Sequence, residues 1–212
     1  MTHIAIIDYG MGNLRSVAKA LEHVAPGARI SVTQDRRDIL QADRVVFPGQ
    51  GSIRDCMREL ARWELLDVVR ESAQDKPFLG LCLGPQALLS FSEENGGTDC
   101  LGVLPGRVVR FGALRDPGSG ERLKVPHMGW NQVHQVGEHP LWRGIAQDSR
   151  FYFVHSYYLQ PEDAALVAGR TDYGFGFASA IARDNMFAVQ FHPEKSAQAG
   201  LRLLANFAGW TP

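Results

Sequence analysis

The sequence predicts an α/β fold with a central, mostly parallel sheet flanked by helices and with antiparallel strands in the C-terminal half. Between His3 and Phe91, β-branched runs alternate with apolar residues at helical spacing, which is the pattern of βαβ crossovers. Beyond Val103 the helical pattern gives way to short strands and turns. A third observation concerns location: glycine-bearing turns follow strands at Tyr9–Asn13, Pro48–Gly51 and Cys82–Gly84. In such sheets the functional loops gather at the carboxyl ends of the strands.

In chain order, His3–Asp8 is a β-branched run stopped by Tyr9-Gly-Met-Gly-Asn13, after which Leu14, Val17, Ala18 and Leu21 recur at helical period. Arg15 stands where a G-x-G-x-x-G would need its third glycine, so no dinucleotide fingerprint can be written. Arg29–Thr33 reads as a second strand, Arg36–Leu40 as a short helix, and Arg44–Phe47 as a third strand entering Pro48-Gly-Gln-Gly51. Ile53, Met57, Leu60, Ala61, Leu65, Val68 and Val69 form the apolar face of one helix filling the gap to Lys76. Phe78–Leu81 is a short strand, and Leu83, Ala87, Leu88 and Phe91 continue at helical spacing. Later strands are expected at Arg107–Arg110, Gln132–Val136, Phe151–Val154, Ala165–Ala168, Ser179–Ala182 and Ala188–Phe191. Asp116-Pro-Gly-Ser-Gly120 has the chemistry of an exposed hairpin tip, Glu93–Thr98 is a further loop, and Ser196–Phe207 closes as a helix. No repeat or linker divides the chain, so one domain over 1–212 is expected.

Composition narrows the classes. With 212 residues, 45% of them apolar, the chain can bury a sizeable core. A net charge of -1 and no basic run beyond two residues exclude the electrostatic footprint of a nucleic-acid or anionic-membrane binder. Cys56, Cys82 and Cys100 are odd in number and lack a C-x-x-C, which disfavours a disulfide framework and a zinc ribbon. No leader pattern precedes His3 and no apolar run is long enough to span a bilayer, so a soluble, cytoplasmic protein is expected.

Chemistry concentrates at Lys76-Pro-Phe-Leu-Gly-Leu-Cys-Leu-Gly-Pro-Gln86. Cys82 falls at a strand-to-helix junction with Gly80 two residues before it and Gly84 two after. Missing β-carbons there let strand and helix approach while the central residue holds a strained backbone, the geometry of a nucleophile elbow. A thiol at a first helical turn is drawn toward the reactive thiolate, and the Leu83 N–H lies where it can stabilise an oxyanion. An isolated G-x-C-x-G also describes a buried structural cysteine chosen for close packing. Phe191-His192-Pro193-Glu194 ends the last strand. In extended chain Glu194 lies on the same side as His192, and a carboxylate orienting an imidazole beside a thiol is the arrangement of nucleophilic acyl transfer.

Pro48-Gly-Gln-Gly51, Gly80-Leu-Cys-Leu-Gly84 with Gln86, and Gln190-Phe-His-Pro-Glu194 together resemble the class I (triad-type) glutamine amidotransferases, whose sheet is flavodoxin-like. Ile7-Asp-Tyr-Gly-Met-Gly-Asn13, Val125-Pro-His-Met-Gly-Trp-Asn131, Tyr152-Phe-Val-His-Ser-Tyr157 and Gln190–Ser196 narrow the match to the HisH family, the glutaminase subunits of imidazole glycerol phosphate synthase. The resemblance runs from residue 4 to residue 207. It implies Cys82 as nucleophile, His192 as general base and acid, and Glu194 as the residue that orients it. It further implies an oxyanion hole from the N–H groups of Leu83 and Gln50, and glutamine held by Gly51, Gln86, Glu94, Ser156 and Tyr157. Pro126, Met128, Trp130 and Lys195 would face the cyclase subunit HisF, a (β/α)8 barrel, in a heterodimer. No cofactor and no metal are implied. Gln50 stands where relatives often carry Val, and Pro85 where Met is frequent; a backbone donor tolerates the first change and a first helical turn the second.

Other readings have their own signatures. Met128 and Trp130 with His127 also fit a plain turn, Lys195 a solvated charge, and Cys56 and Cys100 inert thiols. His155 with His127 or His134 lacks a metal-binding pattern. A glutaminase of another pathway, of the aminodeoxychorismate or pyridoxal phosphate type, would lack Val125–Asn131. A silent partner-binding homologue would have lost Cys82, His192 or Glu194, and a thiol peptidase would cleave peptides without turning over glutamine.

Overall fold

Fourteen strands and six helices make up the computed structural model, which describes residues 1–212. The first half contains β1 (His3–Ile7), α1 (Leu14–Val24), β2 (Arg29–Thr33), α2 (Arg36–Gln41), β3 (Arg44–Gly49), α3 (Ile53–Arg62), α4 (Leu66–Asp75), β4 (Phe78–Cys82) and α5 (Leu83–Leu88). The second half adds β5 (Phe91–Ser92), β6 (Thr98–Asp99), β7 (Gly106–Arg110), β8 (His127–Gln132), β9 (His134–Gln135), β10 (Arg150–His155), β11 (Tyr157–Pro161), β12 (Val167–Asp172), β13 (Gly176–Arg183), β14 (Met186–Val189) and α6 (Ala197–Gly209).

The main sheet runs β2-β1-β3-β4-β14-β13-β11-β7-β5-β6, with β12 and β9 joined through β13. From β2 to β14 every pairing is parallel, and from β14 through β13 and β11 to β7 every pairing is antiparallel. Burial on both faces explains why β1, β3 and β4 are largely apolar, whereas the edge strand β2 is partly exposed. Ala5, Ile7, Val45, Phe47 and Phe78 point into one core with residues of α2, α3, α4 and α5, while Ile4, Ile6, Val46, Leu79 and Leu81 point into the other with α1 and α6. Side-chain caps start α2 and α3: Asp35 accepts from the Arg37 and Asp38 N–H groups, and Ser52 from that of Asp55. The Arg44 guanidinium donates to the Phe207 and Trp210 carbonyls, tying the end of α6 to the sheet. No helix is long and apolar enough to cross a membrane.

Several expected elements are corrected. The single helix expected over Ile53–Val69 is two, because the chain turns at Glu64 (φ 56°). The turn brings Leu65, Val68 and Val69 into the core and leaves Ala61 outside. α5 ends at Leu88, and Phe91 belongs to β5 rather than to the helix. Pro126–Trp130 is not a turn: its residues from His127 lie in β8, which pairs with β10 in a separate two-stranded ribbon. The strand expected at Gln132–Val136 is divided between β8 and β9, and Ala165–Ala168 straddles a 3-10 turn and the start of β12. The last strand stops at Val189, two residues before the expected end. Asp116–Gly120 is indeed a hairpin tip, flanked by an antiparallel bridge between Arg115 and Arg122.

Candidate active site

The loops after β3 and β4 and the segment after β14 meet at one end of the sheet, as parallel neighbours must. Their register sets Gly49 opposite Cys82 and Val189 opposite Leu81. Cys82 has φ 56° and ψ -88°, a conformation of order 1–3 kcal/mol above the ordinary wells for a residue with a side chain. The neighbouring glycines provide space rather than unusual dihedrals. A β-carbon on Gly84 would sit 2.4 Å from the Phe47 carbonyl oxygen, and one on Gly80 would sit 2.9 Å from Cβ of Ala188. One on Gly49 would lie 2.5 Å from the Tyr9 hydroxyl and 2.7 Å from Cβ of Leu83.

His192 is buried and its Nδ1 lies 2.9 Å from Oε1 of Glu194, so Nδ1–H donates to the carboxylate. The pairing does not arise from extended chain as expected: Pro193–Lys195 is a 3-10 turn, and the turn folds Glu194 back onto the ring. Ser196 braces that turn, donating to the His192 carbonyl at 2.5 Å and accepting from the Tyr152 N–H at 2.9 Å. Burial opposes a charge on His192, yet its interactions with Cys82 and with Glu194 overcome it and push the imidazole up to about 10. Nε2 is buried and has no hydrogen-bond partner within the protein. Oε2 of Glu194 is likewise unpartnered, and a small void beside it is lined by Asn13, Gln50 and Cys82. The other thiols cannot compete: burial pushes Cys56 up to about 12, and burial with the nearby Asp99 and Glu94 charges pushes Cys100 to about 12.

A cavity of about 390 Å³ opens over Cys82 and His192. Gln50, Gly51, Leu83, Gln86, Glu94, Ser156 and Tyr157 all line it, so every residue assigned to glutamine or the oxyanion by sequence comes to this one place. Gly51 has φ 87°, and a β-carbon there would meet Cε of Met11 at 2.9 Å. The N–H of Gln50 hydrogen-bonds nothing within the protein, whereas the Pro48 carbonyl accepts from the Tyr9 hydroxyl at 3.0 Å. The Glu94 carboxylate also accepts from the Ile53 N–H at 2.7 Å, so it caps α3 while lining the cavity. Of the residues assigned to a partner, Pro126 and Lys195 lie on the cavity rim, while Met128 (65% exposed) and Trp130 (45%) stand outward on β8 beside it. Lys195 Nζ sits 6.0 Å above the Tyr152 ring, which packs edge-on to Trp130.

Sequence reasoning missed the supports behind these groups. His127 and His155 meet, as hydrogen-bond partners. The Tyr157 carbonyl accepts at 2.7 Å from Nδ1–H of His155, leaving Nε2 of His155 to accept at 2.9 Å from Nδ1–H of His127. Asn131 donates to the remaining His127 nitrogen at 3.2 Å. Burial lowers His127 to about 4, and burial chiefly lowers His155 to about 3, so both rings are neutral. Such chains between distant strands leave no local pattern; a histidine at two places in apolar strands was the only trace.

A doubly covered α/β sheet presenting a strained cysteine beside a buried histidine–carboxylate pair is the arrangement that elbow-type thiol enzymes use for acyl transfer. Residues 5–209 match the model of the family "Glutamine amidotransferase class-I". The chain belongs to the class-I glutamine amidotransferase family and is an enzyme of that class. It is 64% identical over 210 residues to the imidazole glycerol phosphate synthase subunit HisH of Nitrosococcus oceani, covering 99% of this chain and 98% of the relative. It is 62% identical to the subunit of the same name from Aromatoleum aromaticum, over the whole of both chains. Among solved structures it is similar in fold to PurLQS of Thermotoga maritima, with a TM-score of 0.72 at 17% identity over 98% of each chain.

Proposed function

We propose that the chain is the glutaminase subunit of an imidazole glycerol phosphate synthase, working as one domain over residues 1–212 in the cytoplasm. The observation that carries the reading is the cavity in which Cys82 and His192, the latter held at Nδ1 by Glu194 behind it, meet Gly51, Gln86, Glu94, Ser156 and Tyr157. In this reading the Cys82 thiolate attacks the glutamine carboxamide carbon, and the oxyanion is held by the N–H groups of Leu83 and Gln50. His192, protonated and oriented by Glu194, gives its proton to the departing nitrogen, which leaves as ammonia. His192 then takes a proton from water, whose oxygen attacks the γ-glutamyl thioester to release glutamate and restore the thiolate beside the protonated imidazole.

The ammonia is delivered to the HisF cyclase subunit, which converts PRFAR into imidazole glycerol phosphate and AICAR. Ammonia released into water would be protonated and would no longer be a nucleophile, so the two sites communicate through a dry interface. The exposed Met128 and Trp130, with Pro126 and Lys195 on the cavity rim, form the face offered to that barrel.

The test separates the two reactions. In the assembled enzyme, Cys82→Ser should abolish glutamine-dependent synthesis while synthesis from added ammonium salt persists. Glutamine-dependent turnover by the variant would overturn the assignment of Cys82, and failure of the wild-type complex to release glutamate would overturn the whole reading.

A further inference from the structure

Gln190 is the residue between the end of β14 and the Phe191-His192 segment, and it is wholly buried. Its N–H donates to the Ser179 carbonyl at 2.9 Å, which fixes the backbone. Its side chain bridges two parts of the site. Nε2 donates to the Cys82 carbonyl at 3.1 Å, and Oε1 accepts from Nε2 of Gln86 at 3.0 Å. The same Gln86 nitrogen reaches the Tyr157 carbonyl at 3.5 Å.

The polarity of this chain is forced from one end. A backbone carbonyl can only accept, so Gln190 must turn its nitrogen to Cys82 and its oxygen to Gln86. Gln86 must then present nitrogen to Gln190, and its own oxygen is left over. That oxygen accepts no hydrogen bond from the protein, is not among the buried unpartnered atoms, and belongs to a side chain lining the cavity. Reversing either amide would set oxygen against oxygen in a buried place, where an unmatched polar contact is costly.

We infer that Gln190 is a positioning residue that sets the hydrogen-bonding polarity of the substrate pocket: through Gln86 it presents an acceptor, selecting a substrate that offers an N–H or ammonium donor at that point. The same bridge ties that selection to the Cys82 backbone, so the group that recognises substrate and the group that attacks it share one support. The inference rests on the glutaminase reading for the identity of the substrate.

Steady-state glutaminase kinetics of the assembled enzyme test it, with thermal midpoints measured alongside. Gln190→Met keeps the volume and removes both amide atoms, freeing the Gln86 amide to rotate. It should raise KM for glutamine about 5- to 20-fold, the worth of one pocket hydrogen bond, with a smaller effect on kcat. Gln86→Met should raise KM similarly, and the double variant should be no worse than Gln86→Met alone. Gln190→Glu, taken up as the neutral acid in this buried place, retains an acceptor toward Gln86 and an O–H donor toward the Cys82 carbonyl, so its KM should stay nearer to wild type than that of Gln190→Met. It also serves as the comparison should the methionine variant fold poorly. Unchanged KM in Gln190→Met, additive effects in the double variant, or equal KM increases in the methionine and glutamate variants would each overturn the inference. Absence of glutamate release by the wild-type complex is a different result, since it would strike the glutaminase reading itself.

Discussion

A β-carbon at residue 84 would lie 2.4 Å from a backbone oxygen that belongs to β3, so Gly84→Ala cannot be accommodated by rotating a side chain. The elbow itself would have to move. We expect Gly84→Ala to cost about 1–3 kcal/mol in urea unfolding and to lose glutaminase activity out of proportion, because the shift falls on the helix that carries Leu83 and Gln86. Wild-type activity with wild-type stability would show that the approach of α5 to β3 is not needed. At this scale the sequence was informative about identity and less so about mechanism of placement. The two glycines around Cys82 could be read as a close approach, but the 3-10 turn that folds Glu194 onto His192 could not, because Pro193 is compatible with both an extended and a turned chain.

The ribbon of β8 and β10 carries the candidate docking residues on one side and two buried histidines on the other. His127 stacks on Tyr173 with centroids 4.0 Å apart and on Phe153 at 4.8 Å. Because burial holds both imidazoles neutral, with values of about 4 and about 3, the unfolded chain takes up their protons first, near pH 6.5. Their stabilising contribution is therefore complete above about pH 6.5 and declines as pH falls toward 4. The thermal midpoint should fall over that window, and a His127→Phe/His155→Phe variant should show a shallower decline; an equal slope would place the acid sensitivity elsewhere. On the outer side, Trp130→Ala and Lys195→Ala should weaken association with the barrel subunit without unfolding the chain. Trp130 should have the larger effect, since an aromatic anchor contributes more than a rim charge. Unchanged affinity in both would return this face to ordinary solvent-exposed surface.

For the whole molecule the most consequential prediction concerns the free chain, which should be a poor glutaminase until its partner is bound and loaded. The Pro48 carbonyl accepts from the Tyr9 hydroxyl, whereas the Gln50 N–H has no partner within the protein, so no hydrogen bond through that N–H holds the peptide between Gly49 and Gln50. If that peptide rests with its carbonyl inward, one oxyanion donor is missing, which typically costs about 10²–10³-fold in rate. A partner that favours the turned peptide by roughly 3–4 kcal/mol would restore the rate. Steady-state kinetics of the free chain, the complex and the ligand-loaded complex measure this, and full turnover by the free chain would mean that the hole is preformed.

The class of fold, the positions along the chain of the first four strands and the glycine turns on which Gln50 and Cys82 sit were legible in the sequence. These depend on local periodicity and on glycine or proline punctuation, both of which act over a few residues. The wiring of the second half came from long-range packing instead. β8 pairs with β10 outside the main sheet, and the helix expected over Ile53–Val69 breaks at Glu64, where φ is 56°. Long-range packing also decided which polar side chains lie behind the site: Gln190 with Gln86, His155 with His127, and Ser196 with Tyr152 join residues far apart in the chain. A buried polar atom is held wherever a complementary partner arrives, and sequence spacing carries no record of that arrival.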